Sequence, residues 1–314
     1  MVNTNRLQWA GTGITLAAMT SSEPVTERWA ETGSDIDLRS TLELVELING
    51  EDALTAPAVR TVAPALAAAI DAIVERLEAG GRLLYAGAGS SGRLAAVDAA
   101  ECGPTFGVAP GRVQALVAGG AGALAVAQEA AEDDPEAAAA DLCAVGVCRL
   151  DAVVVLSASG STPYALGAAR AARAAGALTV AVVCVEGSEL QALTAHAVVA
   201  LVGPEVIAGS TRMKAGTAQK LVLNTISTIA MVRLGRTYGN LMVDVVATNT
   251  KLRARARRAV ALATGVSDEQ AATALDAADG EAKVAIVALL ANVDARTARD
   301  RLTGAGGSVR EALR

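Results

Sequence analysis

Short apolar runs alternate with longer stretches of helical spacing through the middle of the chain. Leu83-Leu84-Tyr85-Ala86, Val113–Val117, Val153–Leu156 behind Asp151, Thr179–Val185 and 197–202 are five such runs. Most are aliphatic or β-branched and are stopped by Gly, Ser or other turn residues, the signature of buried strands. An Ala-rich helical stretch follows Gly92, another covers about 122–140, and a third starts at Pro163 and stops at Gly176. The alternation predicts an α/β fold, a parallel sheet covered on both faces. Ahead of the sheet, Ser34 or Asp35 is a candidate helix cap. Residues 41–49 have helical spacing ended by Gly50 and Asp52, and a longer helix spans about 57–78 before Gly80-Gly81. After Gly209 the strand signal ceases. Helices are expected over 214–234 and 243–263, then two or three short ones between 267 and 314, separated by Gly265, Gly280 and Gly304–Gly307. The division expected is a loose N-terminal extension (1–32), an α/β domain with its leading helices (33–240) and a helical C-terminal region (241–314).

Composition narrows the chemistry. Of 314 residues, 52% are apolar and 19% charged, ample for a buried core. Aromatic residues make up 2% with a single Phe, so the core is aliphatic and a base-stacking nucleic-acid surface is not expected. The net charge of −6 disfavours nucleic acid and anionic membranes as partners, while leaving room for one locally positive site for a small anion. Cys102, Cys143, Cys148 and Cys184 form no CxxC pair and read as reduced, mostly buried thiols of a cytoplasmic protein. His196 is the sole histidine, which rules out a multi-His metal site; it reads as a capping or packed neutral imidazole. Residues 7–22 are uncharged and follow Arg6, but Gln8, Gly11, Thr12 and Gly13 interrupt them, so an export signal is not expected. Stretches such as 152–169 are broken by Gly, Ser, Thr and Pro, and no membrane span is expected.

Two loops have the chemistry to hold an anion where strands give way to helices. Gly87-Ala-Gly89-Ser90-Ser91-Gly92-Arg93 offers close backbone approach, hydroxyls and a following helix N-terminus. Ser157-Ala-Ser159-Gly160-Ser161-Thr162-Pro163 has four hydroxyls, with Pro163 at a first helical position. Either alone also fits an ordinary tight turn with a capping Ser; two at equivalent strand ends point to a ligand. The first loop matches GxGxxG, but the second run ends in Ala118-Gly119-Gly120 without the acid that a dinucleotide ribose needs, and no GK[ST] occurs.

With one histidine, proton transfer falls to carboxylates. Glu101 lies in Asp98-Ala-Ala-Glu101-Cys-Gly-Pro104, after an apolar helix and before a Gly-Pro turn, placed to face the first loop's cleft. Glu132 lies in Glu129-Ala-Ala-Glu132-Asp133-Asp134 on the next helix. Individually, each also fits a solvated helix-end acid. Ser210-Thr211-Arg212-Met213-Lys214 sets bases at a helix N-terminus, where they are disfavoured, and so suggests a ligand or subunit contact. Lys251, Arg253, Arg255, Arg257 and Arg258 read as a solvated helix face.

Several segments together resemble the N-acetylmuramic acid 6-phosphate etherases, which have a sugar-isomerase (SIS) fold. They are Ser40-Thr41-Leu42-Glu43, Ile48–Asp52, Gly87–Arg93, Asp98–Thr105, Gly209–Lys220 and Gly239–Asn249. The resemblance covers about 33–314. It implies a three-layer SIS sandwich with a small C-terminal ubiquitin-associated-like module. It implies cleavage of the D-lactyl ether of MurNAc 6-phosphate to GlcNAc 6-phosphate and D-lactate, in cell-wall amino-sugar recycling. The implied route is β-elimination from the open-chain aldehyde followed by hydration, with no cofactor and no metal. Glu101 matches the family's acid/base and Glu132 its second catalytic carboxylate. Gly89, Ser90, Ser91, Ser157, Ser159, Ser161, Thr162, Arg212 and Lys214 are the expected substrate and phosphate contacts, in a homodimer with sites near the subunit interface. The chain departs from the family pattern at Ser161, often basic or otherwise polar, at Gly103, commonly Pro, and at Ser90, commonly Thr. A sugar-phosphate-sensing regulator resembling the glucokinase regulatory protein and an aldose–ketose isomerase are the rival readings. Retention of both Glu101 and Glu132 favours the etherase.

Overall fold

In the computed structural model the described residues are 25–28, 35–245 and 250–314. The expected extension over 1–32, apart from 25–28, and the candidate cap Ser34 lie outside them. Three helices precede the sheet: α1 (Thr41–Asp52), α2 (Thr55–Thr61) and α3 (Ala63–Glu78). The cap of α1 is Ser40, not Asp35. Ser40 accepts from the Glu43 amide while the Glu43 carboxylate takes the Ser40 amide at 2.7 Å, a reciprocal capping box. Asp35 is held instead by Arg39 at 2.8 Å. The single helix expected over 57–78 is two, broken at Val62 with a 61° bend. Pro64, at the start of α3, cannot donate to the preceding turn.

The five apolar runs form β1 (Leu83–Gly87), β2 (Val113–Val117), β3 (Ala152–Leu156), β4 (Leu178–Val183) and β5 (His196–Val199). All pair in parallel, in the order β2-β1-β3-β4-β5. Every residue of β1, β3 and β4 is buried, as both-face coverage requires. The connecting helices are α4 (Gly89–Phe106), α5 (Pro135–Ala144), α6 (Pro163–Ala174), α7 (Glu189–Leu193) and α8 (Lys214–Arg233). Alternating strand positions divide the core. Leu83, Tyr85, Val154 and Val180 face Ile70, Ile73, Ala95 and Leu223 of α3, α4 and α8. Leu84, Val153, Val155 and Val183 face Leu142, Tyr164 and Leu190 of α5, α6 and α7. At the bottom of the sheet, buried Asp151 gathers the Arg82 amide at 2.9 Å, the Arg82 guanidinium at 2.7 Å and the Cys148 amide at 3.0 Å.

Two stretches depart from the expected pattern. The helix expected over 122–140 is replaced by 3-10 turns at Gly120–Leu124 and Glu129–Asp133, with α5 starting only at Pro135 under the Asp134 cap. Gly119 and Gly120, at φ +82° and +66°, turn the chain before a helix can nucleate. Beyond α8 a ribbon appears, β6 (Thr237–Tyr238) paired antiparallel to β7 (Leu241–Met242) around Gly239-Asn240, with Gly239 at φ +57°. The helix expected from 243 is α9 (Thr250–Thr264); Val243–Val245 are non-helical. Four helices follow, not two or three: α10 (Asp268–Ala277), α11 (Ala282–Ala291), α12 (Ala295–Gly304) and α13 (Val309–Ala312). With α9 they bury Val260, Leu275, Ile286 and Leu302 in one apolar cluster. Among the described residues no single helix is long and apolar enough to cross a membrane.

Candidate functional site

The sheet order places the two hydroxyl-bearing segments side by side. β1 and β3 are neighbours and end level, with Gly87 opposite Leu156. From β1 the chain leaves into α4 on one face of the sheet; from β3 it leaves into α6 on the other. This is the topological switch point of a doubly wound sheet, where a crevice opens at the carboxyl ends of the strands.

The first segment is less of a loop than its sequence suggests. β1 ends at Gly87, Ala88 is the N-cap, and Gly89, Ser90 and Ser91 are the first three residues of α4. Their amides have no acceptor within the helix, which leaves a donor set facing the crevice. Gly92 packs at the β1–α4 crossing, where a Cβ would come 2.4 Å from the Gly87 carbonyl oxygen. The second segment is a knot of hydroxyls. Ser157 Oγ lies 2.8 Å from Thr162 Oγ1 and accepts from the Gly160 amide at 3.0 Å. Ser161 Oγ donates to Ser159 Oγ at 2.9 Å. Gly160 adopts φ +70°, and a Cβ there would meet Ser188 Oγ at 2.3 Å. Thr162 caps α6 without a side-chain bond to its amides.

Glu132 comes to this crevice. Its Oε1 stands 2.5 Å from the point a Cβ on Gly89 would occupy, so the carboxylate leans on the start of α4. Burial pushes its pKa up; Arg93 opposes this, while Asp133 and Glu129 push the same way as burial. Arg93 is held nearby through its Nε, which donates to the Ala123 carbonyl at 2.8 Å. A carboxylate so placed suits a proton acceptor.

Glu101 lies farther along α4 than the residues that line this crevice. The sequence places it past a helix, one helix from the first loop; it lies instead inside α4, exposed, because Gly103 and Pro104 are still helical. Pro104 fails to end the helix early, and α4 stops only at Gly107, φ +61°, packed on the Asp244 carbonyl. Glu101 thus stands twelve residues beyond Gly89, about 18 Å along the helix axis.

The basic cluster divides. Lys214 opens α8 and is 2% exposed, its ammonium paired with Glu51 of α1. The backbone amides of Lys214 and Ala215 are capped by buried Glu205 at 3.0 and 2.9 Å, a helix-start carboxylate invisible in sequence spacing. Arg212 is exposed just ahead of α8. His196 opens β5 half-buried. Cys102 and Cys184 are buried, their thiol pKa values pushed up to about 12 chiefly by burial, but Cys143 and Cys148 are exposed, against the expectation of mostly buried thiols.

Two further residues belong to this region that sequence reasoning did not single out. Gln219 of α8 accepts from Ser91 Oγ at 2.8 Å. Asp98 of α4 is buried and takes Tyr85 Oη at 2.8 Å, Asn224 Nδ2 at 2.7 Å and Ser227 Oγ at 3.0 Å, fixing α4 to β1 and α8. Gln219 falls within the Gly209–Lys220 segment and Asp98 opens Asp98–Thr105, so unusual composition was the available signal.

Residues 65–173 match the family model described as the glucokinase regulatory protein N-terminal SIS domain. A relative from Rubrobacter xylanophilus, named N-acetylmuramic acid 6-phosphate etherase, is 60% identical over 93% of this chain and 96% of its own. Relatives of the same name from Streptomyces coelicolor and Escherichia coli O7:K1 are 54% and 48% identical, each over 92% of this chain and over 93% and 97% of their own. Among solved structures, phosphoheptose isomerases from Francisella tularensis and Neisseria gonorrhoeae superpose with a TM-score of 0.46 each, at 20% and 18% identity, over 62% and 61% of this chain and 100% and 98% of theirs. An identity of 60% across nearly the whole of both chains places this protein in the N-acetylmuramic acid 6-phosphate etherase family.

Proposed function

We infer that this protein cleaves the D-lactyl ether of MurNAc 6-phosphate with water, giving GlcNAc 6-phosphate and D-lactate. The observation that carries the reading is near-full-length identity of 60% to an etherase. The crevice supports it chemically. The 6-phosphate sits among the Ser157, Ser159, Ser161 and Thr162 hydroxyls, and Gly89, Ser90 and Ser91 donate amides and hydroxyls to the sugar. Arg212 lends positive charge at the rim.

The reaction starts on the open-chain aldehyde, where the carbonyl acidifies the C2 proton. Glu132 takes that proton. The C3–oxygen bond breaks as the C2=C3 double bond forms, and Glu101 protonates the departing lactate oxygen. Glu101 then deprotonates water, which adds to C3, and a proton returns to C2. The net change is hydrolysis, with neither oxidation nor reduction. Lys214, turned to Glu51, serves the site by holding α8 in place. The protein acts as a homodimer.

The test is lactate release from MurNAc 6-phosphate by the purified chain in heavy water. The expected result is stoichiometric lactate and one deuteron at C2 of the GlcNAc 6-phosphate. Binding of the sugar phosphate without lactate would support a sensing regulator, and interconversion of sugar phosphates without lactate an isomerase.

A further inference from the structure

We propose that Arg93 holds the lactyl carboxylate of the substrate and thereby selects a lactyl ether over a plain sugar phosphate. This rests on the proposed function and names the residue that reads the part of the substrate which the reaction removes.

The substrate carries two anions. The phosphate on C6 meets the hydroxyls and amides at the switch point. The lactyl carboxylate hangs one carbon beyond the ether oxygen on C3, and C3 neighbours the C2 whose proton goes to Glu132. The carboxylate therefore comes to rest close to Glu132. An anion taken out of water into a crevice needs a cation or a set of donors there.

One guanidinium answers that need. Arg93 follows Gly89 by four residues on α4, so the two share a helix face. Glu132 leans on that face, its Oε1 2.5 Å from the point a Gly89 Cβ would occupy. Burial pushes the Glu132 pKa up, and Arg93 is the positive charge that works against it, as a close neighbour does. The Arg93 side chain is half-buried and anchored at one atom, Nε, which donates to the Ala123 carbonyl at 2.8 Å. Among the described residues no acceptor meets its two terminal nitrogens. They present a pair of parallel donors, the arrangement that grips a carboxylate bidentately. The anchored Nε sets the direction of that fork in advance, which lowers the ordering cost of binding. Other cations of the region are less suited. Lys214 pairs with Glu51, and Arg212 stands exposed ahead of α8. The product GlcNAc 6-phosphate keeps the phosphate and lacks the carboxylate, so Arg93 separates substrate from product.

The probes are MurNAc 6-phosphate and its carboxamide, the same sugar phosphate with the lactyl carboxylate converted to a neutral amide. Wild type, R93Q and R93K are compared at a pH above the acid limb of each. The wild type is expected to favour the carboxylate form about a hundredfold in kcat/KM. R93Q is expected to lose that preference, falling about a hundredfold on MurNAc 6-phosphate while matching the wild type on the carboxamide within a fewfold. R93K keeps the charge without the fork and falls between the two. Inhibition by GlcNAc 6-phosphate is expected to be alike in all three. A wild type that cleaves both forms equally overturns the proposal without any variant. An R93Q chain that falls alike on both forms, or loses its affinity for GlcNAc 6-phosphate, overturns it too, and leaves Arg93 as a tie to the Ala123 turn. If R93Q does not fold, R93K carries the comparison, and a preference equal to that of the wild type overturns the proposal. A wild type that cleaves neither form sinks the functional reading itself, an outcome distinct from all of these.

Discussion

Ser91 Oγ donates to Gln219 Oε1 at 2.8 Å, and the other end of that amide, Gln219 Nε2, is buried without a partner. The bond ties the third residue of α4 to the second turn of α8, so the donor set at the crevice depends on a residue 128 positions away. A buried donor with no acceptor costs about 1–3 kcal/mol. Gln219→Leu keeps the volume, removes that donor and releases Ser91. The fold is expected to melt at the same temperature or slightly higher, while KM for MurNAc 6-phosphate rises about tenfold, roughly 1.4 kcal/mol of lost binding. Steady-state kinetics beside a thermal melt check both; an unmoved KM would make Gln219 a filler of the core.

Gly89 carries two constraints at once. It sits at φ +52°, and a Cβ there would stand 2.5 Å from Glu132 Oε1. Gly89→Ala therefore pays about 1 kcal/mol of backbone strain and pushes the carboxylate off the start of α4. The expected result is a modest drop in melting temperature and a fall in kcat of about a hundredfold, within the range of losing a positioned proton acceptor. Ser90→Ala, at the next position, changes no backbone geometry and is expected to keep kcat within a fewfold. The two turnover numbers, measured side by side, separate strain from hydroxyl chemistry.

The central strands were legible in the sequence because burial on both faces leaves uninterrupted aliphatic runs, as in β3; the edge strand Val113–Val117 is read to the residue although it is mostly half-buried. The crevice was legible because strand ends followed by Gly and Ser recur at β1 and β3. What failed was local turn chemistry. Gly119-Gly120 outweighed the alanines after them, and Gly239-Asn240 closed a two-residue ribbon too short to leave a periodic signal. Pro104 was read as a stop, yet α4 runs through it and carries Glu101 inside the helix. Partners set by the fold, Gln219 to Ser91 and Glu51 to Lys214, lie over a hundred residues apart and leave no trace in spacing.

The proposed role of Glu132 as the proton acceptor makes a prediction for the acid limb of the activity profile. Burial raises the Glu132 pKa above the ordinary carboxylate value, so the group keeps its proton to a higher pH than an unperturbed carboxylate does. Activity is expected to rise with pH through a higher midpoint than an unperturbed carboxylate gives. Asp133 and Glu129 contribute to that elevation, and Arg93 opposes it. Glu129→Gln with Asp133→Asn moves the limb to lower pH, and Arg93→Gln moves it to higher pH. Plots of kcat/KM against pH for the three proteins give the order. Coincident profiles would assign the limb to another group.

Lys214 was expected to touch substrate, but its ammonium is spent on Glu51, with the lysine side chain 3% exposed and the glutamate 27%. The asymmetry predicts unequal costs. Glu51→Gln leaves a buried cation without its partner and is expected to destabilise by about 3 kcal/mol. Lys214→Met leaves a glutamate that still reaches water, and is expected to lose less. In the double variant both charges are gone, so its loss is expected to match Lys214→Met alone, a coupling that simple addition of the two single losses does not give. Urea unfolding of the four proteins yields the cycle. A Lys214→Met chain of unchanged stability but sharply raised KM would return the lysine to the phosphate, and would mean that Glu51 lets it go when substrate binds.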